Sequence, residues 1–305
     1  MWKRFSLAIA IAVALIIVLN MASASQCRGG GENVSTPTLQ ELCSFLKDMY
    51  RGLGPGYGCL VESPVVESNV CYTSTNKLAS HVLKLLCNDS VLAEKVERFL
   101  EIHKTDFYDY YQVVLGIPIK LPFNATTHVV VANVSGILIK HVKATNNVMS
   151  DYSEYANLVA IKAIYHASLG ERSKALEELK KLDKMFDDAG FRDKAFNGYY
   201  ETYKLALAVI AHRLVGDDEG AKRYIQILEK IKPFTTLYTA NLTGIGDLNV
   251  ETASLTALAL YNTRILHIEK PSTQPPYSIY VSIIFIAVVI TLLLLLPLRK
   301  ILSKK

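Results

Sequence analysis

Three glutamates recur at comparable places along the chain. Glu154, Glu201 and Glu251 each stand four residues before a leucine: Leu158, Leu205 and Leu255. Each opens a run that is alanine-rich and apolar nearly all round, namely LVAIKAI, LALAVIA and LTALAL. Tyr152, Tyr199, Tyr200 and Tyr203 lie close by. Carboxyl groups at the ends of equivalent helices, with aromatic platforms beside them, have the makings of a sugar site. Paired carboxyls can also cleave a glycosidic bond, one as acid and the other as base. The plainer account is helix capping: Asp151-Tyr-Ser-Glu154 reads as a capping box, and acids belong in first turns anyway. The three glutamates are therefore candidate catalytic residues and the four tyrosines candidate ligand contacts, with capping as the competing explanation.

These residues depend on a repeated pair of helices. The pattern predicts a first helix over 77–87 and a second over 91–103, split by the cap-forming turn Asn88-Asp89-Ser90. The pair recurs over 154–167 and 174–185, then over 201–214 and 221–231, and a last first-helix runs over 251–265. Ser74, four residues before Leu78, fills the place taken elsewhere by the glutamates. A helix that is apolar on all sides is buried, and an amphipathic partner covers it. A further helix is expected over 38–50. Residues 51–70, with their glycines and Pro64, read as loop. Thr127 to Val142 is two-sided: its β-branched content fits a hairpin about Asn133-Ser135-Gly136, while Val130, Val134, Ile137 and Leu138 fit a helix. The repeat tips the expectation to helix. The fold class expected is all-α, with repeated helical hairpins.

Alternating buried and amphipathic helices of this length, with Asn249-Val-Glu-Thr-Ala-Ser-Leu-Thr-Ala-Leu-Ala-Leu260, resemble the α/α-toroid families over about 74–267. These include terpenoid-cyclase-like domains and the thioester domains of the alpha-2-macroglobulin kind. The resemblance implies inner helices whose ends converge on one mouth. It does not carry thioester chemistry, because Cys59 is followed three positions later by Glu62 where a glutamine is required. The aspartate-rich motifs of the cyclases are absent too. Tetratricopeptide solenoids, with a period of about 34 residues, fit the spacing less well.

Composition sets the surroundings. Six of the 33 cations fall in residues 1–24 and 277–305, which hold no acid, leaving 27 cations against 28 acids between them. So balanced a domain is no electrostatic footprint for nucleic acid. Residues 1–24 have the layout of a signal peptide, with cleavage after Ala24 or retention as a signal anchor. Residues 25–37 read as a flexible leader and 38–268 as an exterior domain. Pro-rich 269–278 reads as a stalk, Ile279 to Leu298 as a transmembrane helix and 299–305 as a basic cytoplasmic tail. The cysteines all precede residue 88, and in an oxidising compartment the pairs expected are Cys59–Cys71 and Cys43–Cys87, with Cys27 left over. Sequons at Asn33, Asn88, Asn124, Asn133 and Asn241 are candidate glycosylation sites. No metal-ligand spacing, phosphate loop or nucleophile elbow is present, and no cofactor is expected.

The expectation is a type I, single-span cell-surface glycoprotein with a binding or structural role, its partners the membrane and surface glycans or other surface proteins. The alternatives are an exported α/α-barrel carbohydrate-active enzyme and an accessory subunit of a membrane complex.

Overall fold

The computed structural model describes residues 37–261. The helix pairs form where the sequence places them. Helix α1 is Leu39–Asp48, opened by a Thr38/Glu41 capping box. Helices α2 (Thr73–Leu85) and α3 (Ser90–Ile102) make the first pair, α4 (Ala156–Ser168) and α5 (Arg172–Lys184) the second, and α6 (Thr202–Leu214) and α7 (Asp218–Leu228) the third. Helix α8 is Val250–Tyr261. Helices α2, α4, α6 and α8 are the inner ones. Helix α8 packs between α2 and α6, α6 packs on α4, and a 3₁₀ turn, Tyr111–Leu115, joins α4 to α2. In α6 every residue from Lys204 to His212 is buried, whereas α5 buries only Ala175, Glu178, Leu179 and Leu182. That is the division expected of inner and covering helices.

The all-α expectation is overturned by the strands. Helix accounts for 47% of the described residues and strand for 20%, in three sheets, so the fold is mixed α/β. The predicted loop at 51–70 begins with an antiparallel pair, β1 (Tyr50–Gly54) and β2 (Tyr57–Leu60). Strand β3 (Val70–Tyr72) runs parallel to β5 (Ile137–Val148), which pairs antiparallel with β4 (Asn124–Val134) in the order β3-β5-β4. Three two-residue strands, β6 (Tyr200–Glu201), β7 (Leu237–Tyr238) and β8 (Gly244–Ile245), make the third sheet.

The long hairpin decides the ambiguous stretch 127–142 against helix, for a local reason. Val134 pairs with Ile137 across a two-residue turn, Ser135-Gly136, in which both residues have positive φ (52° and 87°). The Asn133 side-chain oxygen, Oδ1, accepts the Gly136 N–H at 3.1 Å. Such a turn twists with the strands it joins, and the flanking valines favour an extended backbone.

Two disulfides form, Cys43–Cys87 between α1 and the end of α2, and Cys59–Cys71 between β2 and β3. They are the pairs favoured from the sequence, and they suit an extracellular setting. The type I single-span placement is corrected: among the described residues no helix is long and apolar enough to cross a membrane. The stretch that prompted it, 279–298, lies outside the described residues. So do the signal 1–24, Cys27, Asn33, most of the leader, the stalk and the basic tail. The described residues fall within one compact unit.

The second and third helix pairs also share a lock at their outer turns. At the end of α4, His166 Nδ1 meets Glu171 at 2.6 Å; at the end of α6, His212 Nδ1 meets Asp217 at 2.7 Å. In both turns the acid follows the histidine by five residues, and its N–H bonds the histidine carbonyl.

Candidate functional site

The inner helices begin at a shared end, and there the fold holds a cavity of about 420 Å³. Its wall comes from the starts of α2 (Ser74, Thr75), α4 (Asn157, Leu158) and α8 (Glu251), from the segment before the 3₁₀ turn (Asp109, Tyr110), and from β4 (Thr126, His128). Four acids line it: Glu62, Glu67, Asp109 and Glu251. Tyr72, Tyr110, Tyr111 and Tyr155 supply aromatic faces. No lysine or arginine is among the lining residues.

Glu62 is set by the disulfide. The loop between Cys59 and Cys71 carries Glu62 and Glu67, and both cysteines are fully buried. The Glu62 N–H bonds Val70 O at 2.8 Å, closing the base of the loop. Its carbonyl accepts the Val250 N–H (2.8 Å) and its carboxyl accepts the Glu251 N–H (3.3 Å), so Glu62 sits on the first turn of α8. Thr75 Oγ1 donates to the other carboxyl oxygen at 2.6 Å. A helix start and a hydroxyl both favour the anion. Burial outweighs them: Glu62 is 3% exposed, and its pKa rises to about 8.

Asp109 caps the 3₁₀ turn, accepting the Gln112 N–H at 3.2 Å. Burial pushes its pKa up to about 6, against hydrogen bonds from Gln112, Ser74 and Tyr111 that pull it down. Glu251, the second residue of α8, is held differently. Among the described residues no donor bonds its carboxyl and no cation pairs with it. Burial, then the charges of Glu62, Asp109, Glu201 and Glu67, keep its pKa well above the carboxylate range. Three carboxyls with raised proton affinities, Asp109 lower than Glu62, thus share one cavity, an arrangement typical of acid–base sites. His128 contributes an imidazole over Tyr72, with ring centres 4.8 Å apart, and burial lowers its pKa. Among the described residues no three histidines, cysteines or acids are grouped to hold a metal ion.

Of the three glutamates singled out in the sequence, Glu251 lines the cavity. Glu201 stands at the N-cap of α6, tied to the buried Lys204, which also holds Asp193 at 2.8 Å. It feels Glu251 electrostatically but does not line the wall. Glu154 precedes α4 on the surface, paired with Lys194 at 3.1 Å. The tyrosines divide likewise. Tyr203 meets Tyr111 edge-on with ring centres 5.8 Å apart, so it backs the cavity wall. Tyr152 bonds Lys162 and Glu178, Tyr200 is buried against Asp187 and Arg192, and Tyr199 is exposed. Asn124 lies at the cavity; Asn88, Asn133 and Asn241 are exposed.

The residues that sequence reasoning missed, Glu62, Glu67 and Asp109, sit outside the helical repeat. Two signals pointed to them. Glu62 and Glu67 are the acids inside the short Cys59–Cys71 loop, and Asp109 is the acid within the aromatic run Phe107 to Tyr111. No protein-family model matches the chain, and neither a curated protein nor a solved structure matches it. The toroid resemblance therefore rests on the repeated pattern alone.

Proposed function

We propose that the chain is an exported carbohydrate-active protein that binds a sugar in this cavity and cleaves its glycosidic bond by acid–base catalysis. The observation that carries the reading is the unpartnered, proton-retaining Glu251 beside the more acidic Asp109, in a cavity walled by tyrosines and hydroxyls. Glu251 would give its proton to the departing glycosidic oxygen as the C–O bond breaks. Asp109, ionised above about pH 6, would take a proton from the water that attacks the anomeric carbon. Each product then carries a hydroxyl, and solvent returns the proton from Asp109 to Glu251. The ionised Asp109 would also stabilise the oxocarbenium-like charge that develops in between. Tyr72 and Tyr155 offer faces for the sugar ring, and Asn157 and Thr75 offer hydrogen bonds to hydroxyls.

The test is a hydrolysis screen over aryl glycosides and oligosaccharides, comparing the native protein with Glu251→Gln and Asp109→Asn. Turnover should fall by about 10²–10⁴-fold in either variant while a bound sugar is still retained. Native protein that hydrolyses nothing in the panel, or variants that keep full turnover, would remove the catalytic reading.

A binding role without turnover has its own support in β4. This edge strand exposes Val129, Val130 and Val131 and has no charged residue from Asn124 to Val134. Exposed uncharged edges of this kind recruit further strands.

A further inference from the structure

The cavity's charge is one-sided, and this narrows the ligand. Glu62, Glu67, Asp109 and Glu251 face it, and no lysine or arginine does. Lys140 pairs with Glu67 at 3.8 Å and bonds the Tyr72 hydroxyl at 3.3 Å without lining the cavity. His128 is the remaining titratable nitrogen on the wall. Glu251 is partly exposed, lines the cavity, accepts no hydrogen bond from any described residue at its carboxyl, and has acids for its charged neighbours. A carboxyl among acids ionises at a cost unless a donor or a counter-charge in the cavity meets it.

A neutral hexose would satisfy some of these oxygens but leave in place the repulsion that arises whenever the acids ionise. A uronate or a phosphosugar would add to it. A metal ion would neutralise it, but among the described residues the acids are not grouped to ligate one. An organic cation meets both needs: its N–H groups donate to the carboxyls, and its charge is attracted to the tyrosine faces.

Resting on the sugar-binding reading above, we propose that the cavity takes an amino sugar with a free, protonated amine, and discriminates against the N-acetylated and acidic forms of the same sugar. The ammonium would sit against Asp109 and Glu62, leaving the Glu251 proton for the glycosidic oxygen. Bringing a cation beside Glu62 favours its anion, so binding should release a proton to solvent.

The probes are glucosamine and its short β-linked oligomers, with N-acetylglucosamine oligomers, glucose oligomers, glucuronic acid and spermidine for comparison. Calorimetric titration at about pH 6.5, where Glu62 still holds its proton and the amine is charged, would be run in two buffers of different ionisation enthalpy. The free-amine oligomer should bind at least about tenfold tighter than its N-acetylated counterpart and release up to about one proton. Its affinity should fall with added salt. Glu62→Gln should abolish the proton release, and Asp109→Asn should reduce the preference for the free amine about tenfold. Thermal melts would confirm that both variants are folded.

Equal or weaker binding of the free amine than of the N-acetylated form would overturn the amine assignment and leave the sugar reading standing. Spermidine binding as tightly as the amino sugar would keep a cation site but overturn the assignment of an amino sugar. Failure of every sugar to bind would overturn both readings.

Discussion

The two ends of the inner helices treat acids in opposite ways. At the outer turns, acids are paired: Lys174 and His166 bond Glu171, and Asp217 caps α7 through the Gly220 N–H while holding His212. Both pKa values fall below the ordinary range, Glu171's through Lys174 and then His166, Asp217's through Gly220 first. At the inner starts, Glu62, Asp109 and Glu251 crowd one another and their pKa values rise, chiefly through burial. The paired acids stabilise the hairpins. The crowded ones destabilise the fold whenever they ionise, a cost that persists at sites serving a ligand or a reaction.

The comparison can be broken first at the paired end. Burial disfavours the charge on His212, yet the hydrogen bond to Asp217 and the nearby charges of Asp183 and Asp217 together raise its pKa above the usual value. A raised histidine contributes stability that is present below about pH 6.5 and is lost as pH rises through the folded-state pKa. His212→Ala should cost about 3–5 kcal/mol at low pH, because it leaves a buried hole and two acids without their partner. Denaturant melts at several pH values would show this, with the pH slope lost in the variant. Gly220→Ala should damage the same lock without touching a charge, since an added Cβ would stand 2.3 Å from His212 Nδ1.

The disulfide that holds the Glu62 loop comes next. Replacing Cys59 and Cys71 by serine should cost about 2–4 kcal/mol from freeing a loop of this length, read as a drop in the thermal midpoint. Ligand affinity should fall further than stability alone requires, because Glu62 and Glu67 ride on that loop. Equal losses for ligand-free and ligand-bound protein would show that the loop serves stability alone.

At the crowded end the expected sign is reversed. Glu62 binds its proton more tightly folded than unfolded, so its contribution is full below about pH 4.5 and is lost as pH rises through about 8. Glu62→Gln should therefore be more stable than the native protein by about 1–3 kcal/mol at pH 9, with the advantage shrinking towards pH 5. The smallest effect is expected on the surface. Glu154→Gln should change stability by less than about 1 kcal/mol and leave ligand binding unchanged, since an exposed ion pair contributes little.

Much of the helical frame was legible in the sequence. The alanine-rich runs, the caps and the anchor-to-leucine spacing placed α2 to α8 to within a few residues, because inner helices must be apolar all round. The strands were not. Periodicity could not separate helix from hairpin over 127–142, and the decision came from two left-handed residues, Ser135 and Gly136, at one turn. The site was half legible for a related reason. Glu251 lies on the repeat, so the pattern found it. Glu62 and Asp109 come to the cavity from loops, and what brings them there is a disulfide, a helix start 189 residues away from Glu62, and a cap on a 3₁₀ turn. Such long-range pairings leave no periodic trace.

Carboxyls with raised proton affinities share one cavity whose wall carries no lysine or arginine. A carbon-13 NMR titration of carboxyl-labelled protein from pH 4 to pH 9 tests it directly, with Glu62→Gln, Asp109→Asn and Glu251→Gln supplying the assignments. Asp109 should titrate near 6, Glu62 near 8, and Glu251 should stay protonated where ordinary glutamates are ionised, with Glu251 moving down in Glu62→Gln. Three carboxyls titrating together near 4, each indifferent to loss of the others, would contradict it.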